Sequence, residues 1–254
     1  MRALITGASS GIGLALAHEL AGRGYALALL ARRAELLEAL AGELEAKGSR
    51  AVAVACDVTD AASVKEAVRQ AEAQLGGPVD LAVANAGVSI FGHASKFNLA
   101  DAEQVFRVNV FGMLYLFDAV IPAMVERRSG RFAGVASVAG LRGLPAAAPY
   151  SASKAAMQTF LEASRVELVP HGVGVTIINP GFVATPLTAK NQFKMPFLMS
   201  AERSAVIIAN GLEKGKRVIE FPWQTSLLMR VLRQLPDALY DRFMVPYGRQ
   251  RANR

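Results

Sequence analysis

Seven short apolar runs constrain this chain more than any other feature. RALIT (2–6), ALALLA (26–31), AVAVACDV (51–58), VDLAVAN (79–85), RFAGVAS (131–137), VGVTIIN (173–179) and RVIEFPW (217–223) are spread along its 254 residues. Most are apolar at nearly every position. A strand with one wet face alternates apolar and polar residues; a strand covered on both faces does not, as in a parallel sheet. Between the runs, apolar residues return at helical spacing: Ile12, Leu16 and Leu20, then Leu36, Leu37, Leu40 and Leu44, then Val64, Val68, Ala71 and Leu75. Longer helical patterns cover 101–127 and 149–168. Such alternation implies right-handed βαβ units. The predicted fold is α/β, a single doubly wound parallel sheet of about seven strands with helices on both faces, followed by a C-terminal helical extension.

Composition agrees with a packed globule and not a disordered chain, since 52% of residues are apolar and 19% charged. The lone cysteine, Cys56, excludes an intrachain disulfide and reads as a small buried hydrophobe in a reducing, cytoplasmic compartment. The opening MRALITG leaves no room for a secretory signal, and no apolar stretch reaches the roughly 18–20 residues of a membrane span. The net charge of +7 is unevenly placed. Residues 1–189 hold 16 Lys/Arg against 16 Asp/Glu, whereas 190–254 hold 12 against 5.

After the first run comes TGASSGIG (6–13), with glycines at 7, 11 and 13. Gly7 permits a tight turn out of the strand, Gly11 lets the backbone approach a pyrophosphate, and Gly13 lets the following helix pack closely. That helix then points its free N–H groups at phosphates. The chain therefore reads as one NAD(P)-binding domain over 1–254, with a substrate-loop region at 186–214 and the extension at 224–254. In such a fold, the residue about 20 positions beyond the glycines meets the adenosine ribose. Here it is Arg32, followed by Arg33, with no acid until Glu35. A guanidinium pairs with a 2′-phosphate and stacks on adenine, so NADP(H) is expected over NAD(H).

Tyr150 and Lys154 lie four residues apart in PYSASKAAM, which stacks them on one helical face. TGASSGIG, ANAG (84–87), Asn109, Ser137, this Tyr150–Lys154 pair and NPG (179–181), in that order, resemble the short-chain dehydrogenase/reductase superfamily across residues 1–190. ANAG departs slightly from the NNAG frequent in that family. The resemblance implies a Rossmann-like fold and a catalytic set of Asn109, Ser137, Tyr150 and Lys154. It makes Tyr150 the proton donor in reduction and the base in oxidation. Lys154 would hold the nicotinamide ribose, and Asn109 would hold a water that links Lys154 to solvent. An unperturbed phenol has a pKa near 10, and a neighbouring cation would lower it. Ser137, at a strand end, would hydrogen-bond the substrate oxygen. Asp57 and Val58 resemble the adenine-binding pair. Asn85, Ala86 and Gly87 would run along the cofactor, and Pro180, Gly181, Val183 and Thr185 would hold its carboxamide. Ser9, Ser10 and Ile12 complete the phosphate loop. No Cys/His cluster suggests a metal; His18 and His171 look structural, and His93 could approach the substrate mouth.

LTAKNQFKMPFLMS (187–200) is unusually apolar for a loop, which suggests either closure over a hydrophobic carbonyl compound or alcohol, or plain core contacts. Ser200 could cap the helix that follows. Beyond the seventh run, Leu227, Leu228, Val231, Leu232 and Leu235 share a helical face, with Arg230 and Arg233 opposite. Packing on a subunit or over the pocket is favoured for this extension; peripheral membrane contact is possible and ranked below it, and nucleic-acid binding has no supporting feature. The sequence thus points to an NADP(H)-dependent carbonyl/alcohol oxidoreductase, expected by family habit to be a homodimer or homotetramer with its interface on 101–127 and 149–168. An NAD-linked alcohol dehydrogenase and a non-catalytic cofactor-binding sensor or scaffold remain the rivals.

Overall fold

The seven runs form one seven-stranded parallel sheet in a computed structural model that describes residues 1–191 and 193–252, the side chains of 247–252 excepted. Gln192 in the predicted substrate loop and residues 253–254 of the predicted extension lie outside the described residues. The strands are β1 (Arg2–Thr6), β2 (Ala26–Ala31), β3 (Ala51–Ala55), β4 (Leu81–Ala84), β5 (Gly130–Val135) and β6 (Val173–Pro180). A two-stranded ribbon of β7 (Val183–Ala184) and β8 (Met199–Ser200) follows, and β9 (Val218–Phe221) completes the main sheet. The helices are α1 (Gly11–Gly22), α2 (Ala34–Ala46), α3 (Ala61–Leu75), α4 (Leu99–Phe106), α5 (Gly112–Glu126), α6 (Ala148–Leu168), α7 (Ala201–Glu213), α8 (Trp223–Gln234) and α9 (Asp237–Ala252).

The absence of alternation in the runs has the expected cause. Along β1, Ala3 and Ile5 join one core with residues of α1, α2 and α7, while Leu4 joins a second core with residues of α3, α5 and α6. All three are fully buried, so neither face of the strand is wet. The strand order is β3-β2-β1-β4-β5-β6-β9. The chain therefore winds outward from β1 in one direction and from β4 in the other. Between β1 and β4 the connections leave to opposite sides and open a crevice at the carboxyl ends of the strands, where such sheets place ligands.

Three expectations change. The run 217–223 ends as a strand at Phe221, because Trp223 already opens α8. The second half of the predicted substrate region is not near the crevice. Residues 201–213 form α7, capped by Ser200 accepting from the Arg203 N–H at 3.2 Å, and its buried Ala201, Ala205, Ile208, Ala209 and Leu212 belong to the core. Finally, one helical run, Leu99–Glu126, is long and apolar enough by length and composition to cross a membrane, which corrects the reading that no stretch is. Here α5 packs on the sheet through Met113, Leu116, Val120 and Met124, and the run is interrupted by a π-helical segment, Arg107–Phe111.

The C-terminal extension also differs from expectation. Helix α8 buries Thr225, Ser226 and Met229, and its small residues allow close approach to Gly181. Leu227, Leu228 and Val231, expected on the packed face, are each about half exposed. The junction between α8 and α9 is held by Arg142, which donates to the Arg233 carbonyl (3.2 Å), pairs with Asp237 (2.7 Å) and lies over the Tyr240 ring at 4.3 Å.

Candidate active site

The phosphate loop owes its shape to its neighbours as much as to its glycines. Gly7 (φ +68°) and Gly11 (φ +58°) adopt left-handed backbone that glycine tolerates without cost. A Cβ on Gly13 would lie 2.4 Å from the Gly7 carbonyl and 2.5 Å from Asn85 Nδ2, so the close packing assigned to Gly13 is against the loop itself. Asn85 Nδ2 donates to the carbonyls of Thr6 (2.9 Å) and Gly7 (3.2 Å). The Thr6 hydroxyl in turn accepts from the N–H groups of Asn85 (3.0 Å) and Ala86 (3.1 Å). The ends of β1 and β4 are thus stitched together beneath the loop. Ser10 is the N-cap of α1 but makes no side-chain capping bond, and no acid occupies the first turn. The helix N–H groups face the crevice without an internal competitor for an anion.

The crevice, about 590 Å³, is lined by every predicted cofactor residue except Gly11 and Gly13. At its β2 end, Arg33 Nη2 donates to Ser9 Oγ at 2.9 Å, a bond that spans from the second strand to the phosphate loop. Arg32 is exposed at the rim beside Asp57. The Asp57 carboxylate is held below the ordinary range, chiefly by the Thr59 N–H, with smaller help from the Thr59 hydroxyl and from Arg32. Cys56 lines the floor next to it; burial pushes its thiol up to about 11, so it is an inert apolar contact, as expected.

The four predicted catalytic residues converge at the other end. Ser137 follows β5; its hydroxyl donates to the Pro180 carbonyl (3.3 Å), accepts from the Ala139 N–H (3.1 Å) and stands beside the Tyr150 phenol, whose pKa it lowers. Lys154 is buried, with Nζ donating to the Val135 carbonyl at 2.8 Å and lying 5.8 Å from the Tyr150 ring centroid. Asn109 sits in the π-helical segment, where the extra residue in the turn aims its side chain off the regular helix face. It is fully buried. Its Oδ1 accepts from Val88 N–H (2.8 Å), and its Nδ2 donates to the Val88 carbonyl and to Ser153 Oγ, both at 3.0 Å. Gly87 is the pivot between them: a Cβ there would stand 3.3 Å from Asn109 Oδ1 and 3.5 Å from Lys154 Nζ.

The electrostatics differ from the expectation that Lys154 acidifies Tyr150. Burial raises the Tyr150 pKa, and the Ser137 hydroxyl beside it only partly opposes this. Burial also lowers the Lys154 pKa, from 10.5 to about 7. The reason is the solvent-poor pocket: it penalises both charged forms, and Nζ is turned toward a backbone carbonyl instead of the phenol. Near neutral pH the pair is therefore a protonated phenol beside a lysine that is readily deprotonated.

Several contributors escaped the sequence reading. Gln158 Nε2 donates to the Ser137 carbonyl (2.7 Å) and to Asn179 Oδ1 (2.9 Å), fixing the backbone that carries the Ser137 hydroxyl. Its spacing was a usable signal, because Tyr150, Lys154 and Gln158 are i, i+4 and i+8 on one helix face. Ser153 bridges the Tyr150 carbonyl (2.7 Å) to Asn109. An aromatic row leads from the phenol outward: Phe91 lies 6.3 Å from Tyr150 between ring centroids and 6.2 Å from Phe193, which stands edge-on to Phe182 at 5.9 Å. Phe91 has no periodic or motif signal. The nearby His93 is engaged locally, its Nδ1 capping a 3-10 turn through the Ser95 N–H (3.2 Å). From the predicted substrate loop, Leu187 and Thr188 line the crevice and Phe193 joins the aromatic row, so of that row only Phe91 and Phe182 were missed.

A family model described as short chain dehydrogenase matches residues 1–195. An uncharacterised oxidoreductase of Myxococcus xanthus is 44% identical over 239 residues, 94% of either chain. Among solved structures, a short-chain dehydrogenase/reductase of Burkholderia phymatum in complex with NAD superposes with a TM-score of 0.84 at 26% identity, covering 90% of this chain and 91% of that one. An alcohol dehydrogenase of Thermococcus sibiricus complexed with 5-hydroxy-NADP gives 0.78 at 30% identity, over 87% and 94%.

Proposed function

The chain belongs to the short-chain dehydrogenase/reductase superfamily, and from that premise we propose an NADP(H)-dependent oxidoreductase that interconverts a hydrophobic ketone or aldehyde and its alcohol. The observation that carries this reading is the meeting of Ser137, Tyr150 and Lys154 in the crevice that the glycine loop opens. The residues fit the dinucleotide: an uncapped helix N-terminus faces its phosphates, Gly7, Gly11 and Gly13 leave the loop without side chains, and Arg32, Arg33 and Ser9 stand where a 2′-phosphate would need donors. When bound, the nicotinamide supplies or accepts the hydride.

This chain's own residues handle the oxygen and its proton. Ser137 donates a hydrogen bond to the substrate oxygen and orients it toward Tyr150. In reduction, the Tyr150 phenol gives its proton to that oxygen as negative charge develops there. A phenol kept protonated by burial suits this direction. Once that oxygen is protonated, the single Ser137 proton is free to turn from it to the phenolate that remains. Lys154, whose pKa burial lowers to about 7, would turn its Nζ from the Val135 carbonyl to return a proton to Tyr150, and Asn109 positions the Gly87–Val88 backbone beside it. Phe91, Phe193 and Phe182 give the approach to Tyr150 an apolar wall, which favours an aliphatic or aromatic group on the substrate.

The cofactor preference rests on charge-assisted bonds worth roughly 1.5–3 kcal/mol, about tenfold to a hundredfold in affinity. The test is kcat/KM for NADPH and NADH across a panel of apolar ketones and aldehydes, with the wild type and Arg32→Glu. The wild type should prefer NADPH and the variant should lose that preference. A clear NADH preference in the wild type overturns the arginine reading, and inertness across the panel overturns the enzymatic one. We place the enzyme in the cytoplasm, where Cys56 stays reduced. We assign homodimer or homotetramer contacts to the outer faces of α5 and α6; exposed apolar residues there are Val166 on α6, Val169 just after it and Phe111 just before α5. A monomer by light scattering refutes that assignment.

A further inference from the structure

We infer that the outward face of α8 and α9 docks on an anionic lipid bilayer. Helix α8 turns small residues inward and its largest apolar residues outward. Trp223, Leu227 and Val231 recur every four residues on the side opposite the buried Thr225, Ser226 and Met229, with Leu228 beside them. Trp223 is 69% exposed, and the other three are each at least half exposed. Leu239 and Phe243 on the following α9 are also exposed. Single exposed apolar residues are ordinary; a row of four along one helix, with further exposed apolar residues on the next, marks a surface that meets something apolar.

The surrounding charge identifies the partner. Residues 223–254 hold six arginines against two aspartates, and one of those aspartates, Asp237, is paired with Arg142. Arg233 and Arg242 are exposed, Arg242 next to Phe243 on α9 and Arg233 on the side of α8 away from Leu227 and Val231. Residues 1–189 are balanced, and of the net +7 in the rest of the chain +4 lies in 223–254 and +3 in 190–222. A two-fold contact between copies would set this basic end against itself, whereas anionic headgroups complement it. Tryptophan and arginine beside an apolar stripe suit the water–lipid boundary. Helix α8, with 12 residues, is about 18 Å long and too short to span, so it lies on the surface. The apolar surface continues through Trp223 into a groove of about 620 Å³ lined by Phe197 and Leu198. These two residues end the segment whose beginning, Leu187 and Thr188, lines the reaction crevice. Docking would therefore bring the approach to the crevice close to the lipid. The inference does not depend on which reaction the crevice catalyses.

The test is cosedimentation of the full-length protein with phosphatidylcholine vesicles and with vesicles that also contain phosphatidylglycerol. Binding is expected to the anionic vesicles and to be released by salt. Leu227→Asp/Val231→Asp should weaken it by more than about tenfold, and Arg233→Glu/Arg242→Glu should abolish the preference for anionic lipid, both with unchanged melting temperature. No sedimentation with either vesicle, equal binding to both, or full binding by either double variant overturns the inference. So does an oligomer that the leucine–valine variant dissociates in light scattering, which would give this face to a second copy.

Discussion

Replacing Lys154 with methionine separates the cost of burying its charge from its other roles. Methionine keeps an unbranched stem of similar volume and removes the ammonium. Two effects follow. The Val135 carbonyl loses its donor, which costs about 1–3 kcal/mol at any pH. The second effect varies with pH. The folded-state pKa near 7 lies below the ordinary 10.5, so between these values the unfolded chain holds a proton that the folded one lacks. Stability of the wild type therefore rises with pH through that window, and the full penalty on the charged form is present below it. A displacement of this size is on the order of 5 kcal/mol at ~1.4 kcal/mol per pH unit, and relaxation of the site brings the expected change to about 2–4 kcal/mol. Urea unfolding of cofactor-free wild type and Lys154→Met, followed at about pH 6 and about pH 9, reads it directly. The variant should gain on the wild type at the lower pH and lose about half of that gain at the higher, because pH 9 still lies ~1.5 units below the ordinary lysine value. Cys56 and Tyr150 titrate in both proteins and cancel in the difference. A stability difference that stays constant across the window would refute the claim that burial sets this lysine's charge.

Tyr150→Phe should retain NADPH binding, read by fluorescence titration, and lose about a hundredfold to ten-thousandfold in kcat; surviving turnover would remove Tyr150 as proton donor. Gly13→Ala should weaken NADPH binding by more than about tenfold and lower stability by ~1–3 kcal/mol in urea unfolding, because its Cβ meets the backbone carbonyl of Gly7 and the clamped Asn85 amide, neither free to yield.

The sheet was legible because every strand except the last repeats one signal, apolar residues with no wet face, and the glycine loop and the Tyr150–Lys154 spacing mark the crevice from opposite ends. What escaped has physical causes. The exposure of Leu227 and Val231 could not be read from periodicity, which finds a stripe but not which stripe is buried; the small Thr225 and Ser226 win because Gly181 admits only a close neighbour. Likewise α7 looked like part of a lid because nothing in its composition says that its alanines face the core. Asn109 was placed by the order of the motifs, yet the π-helical turn that aims it is a backbone event set by packing. The Lys154 effect on Tyr150 was misjudged because spacing gives proximity, while the sign of a pKa shift depends on how much water both groups lose.

The stitching of β1 to β4 bears on how this fold can be altered or inherited. Thr6 and Asn85 are 79 positions apart, and their side chains hold one another's backbone. Residues 6–13 grafted alone onto a foreign strand–helix junction would carry the glycines but not the clamps that keep their curve. The smallest transplantable part is two strand ends, not one loop, and a lineage that lost either clamp would be under pressure to replace both together.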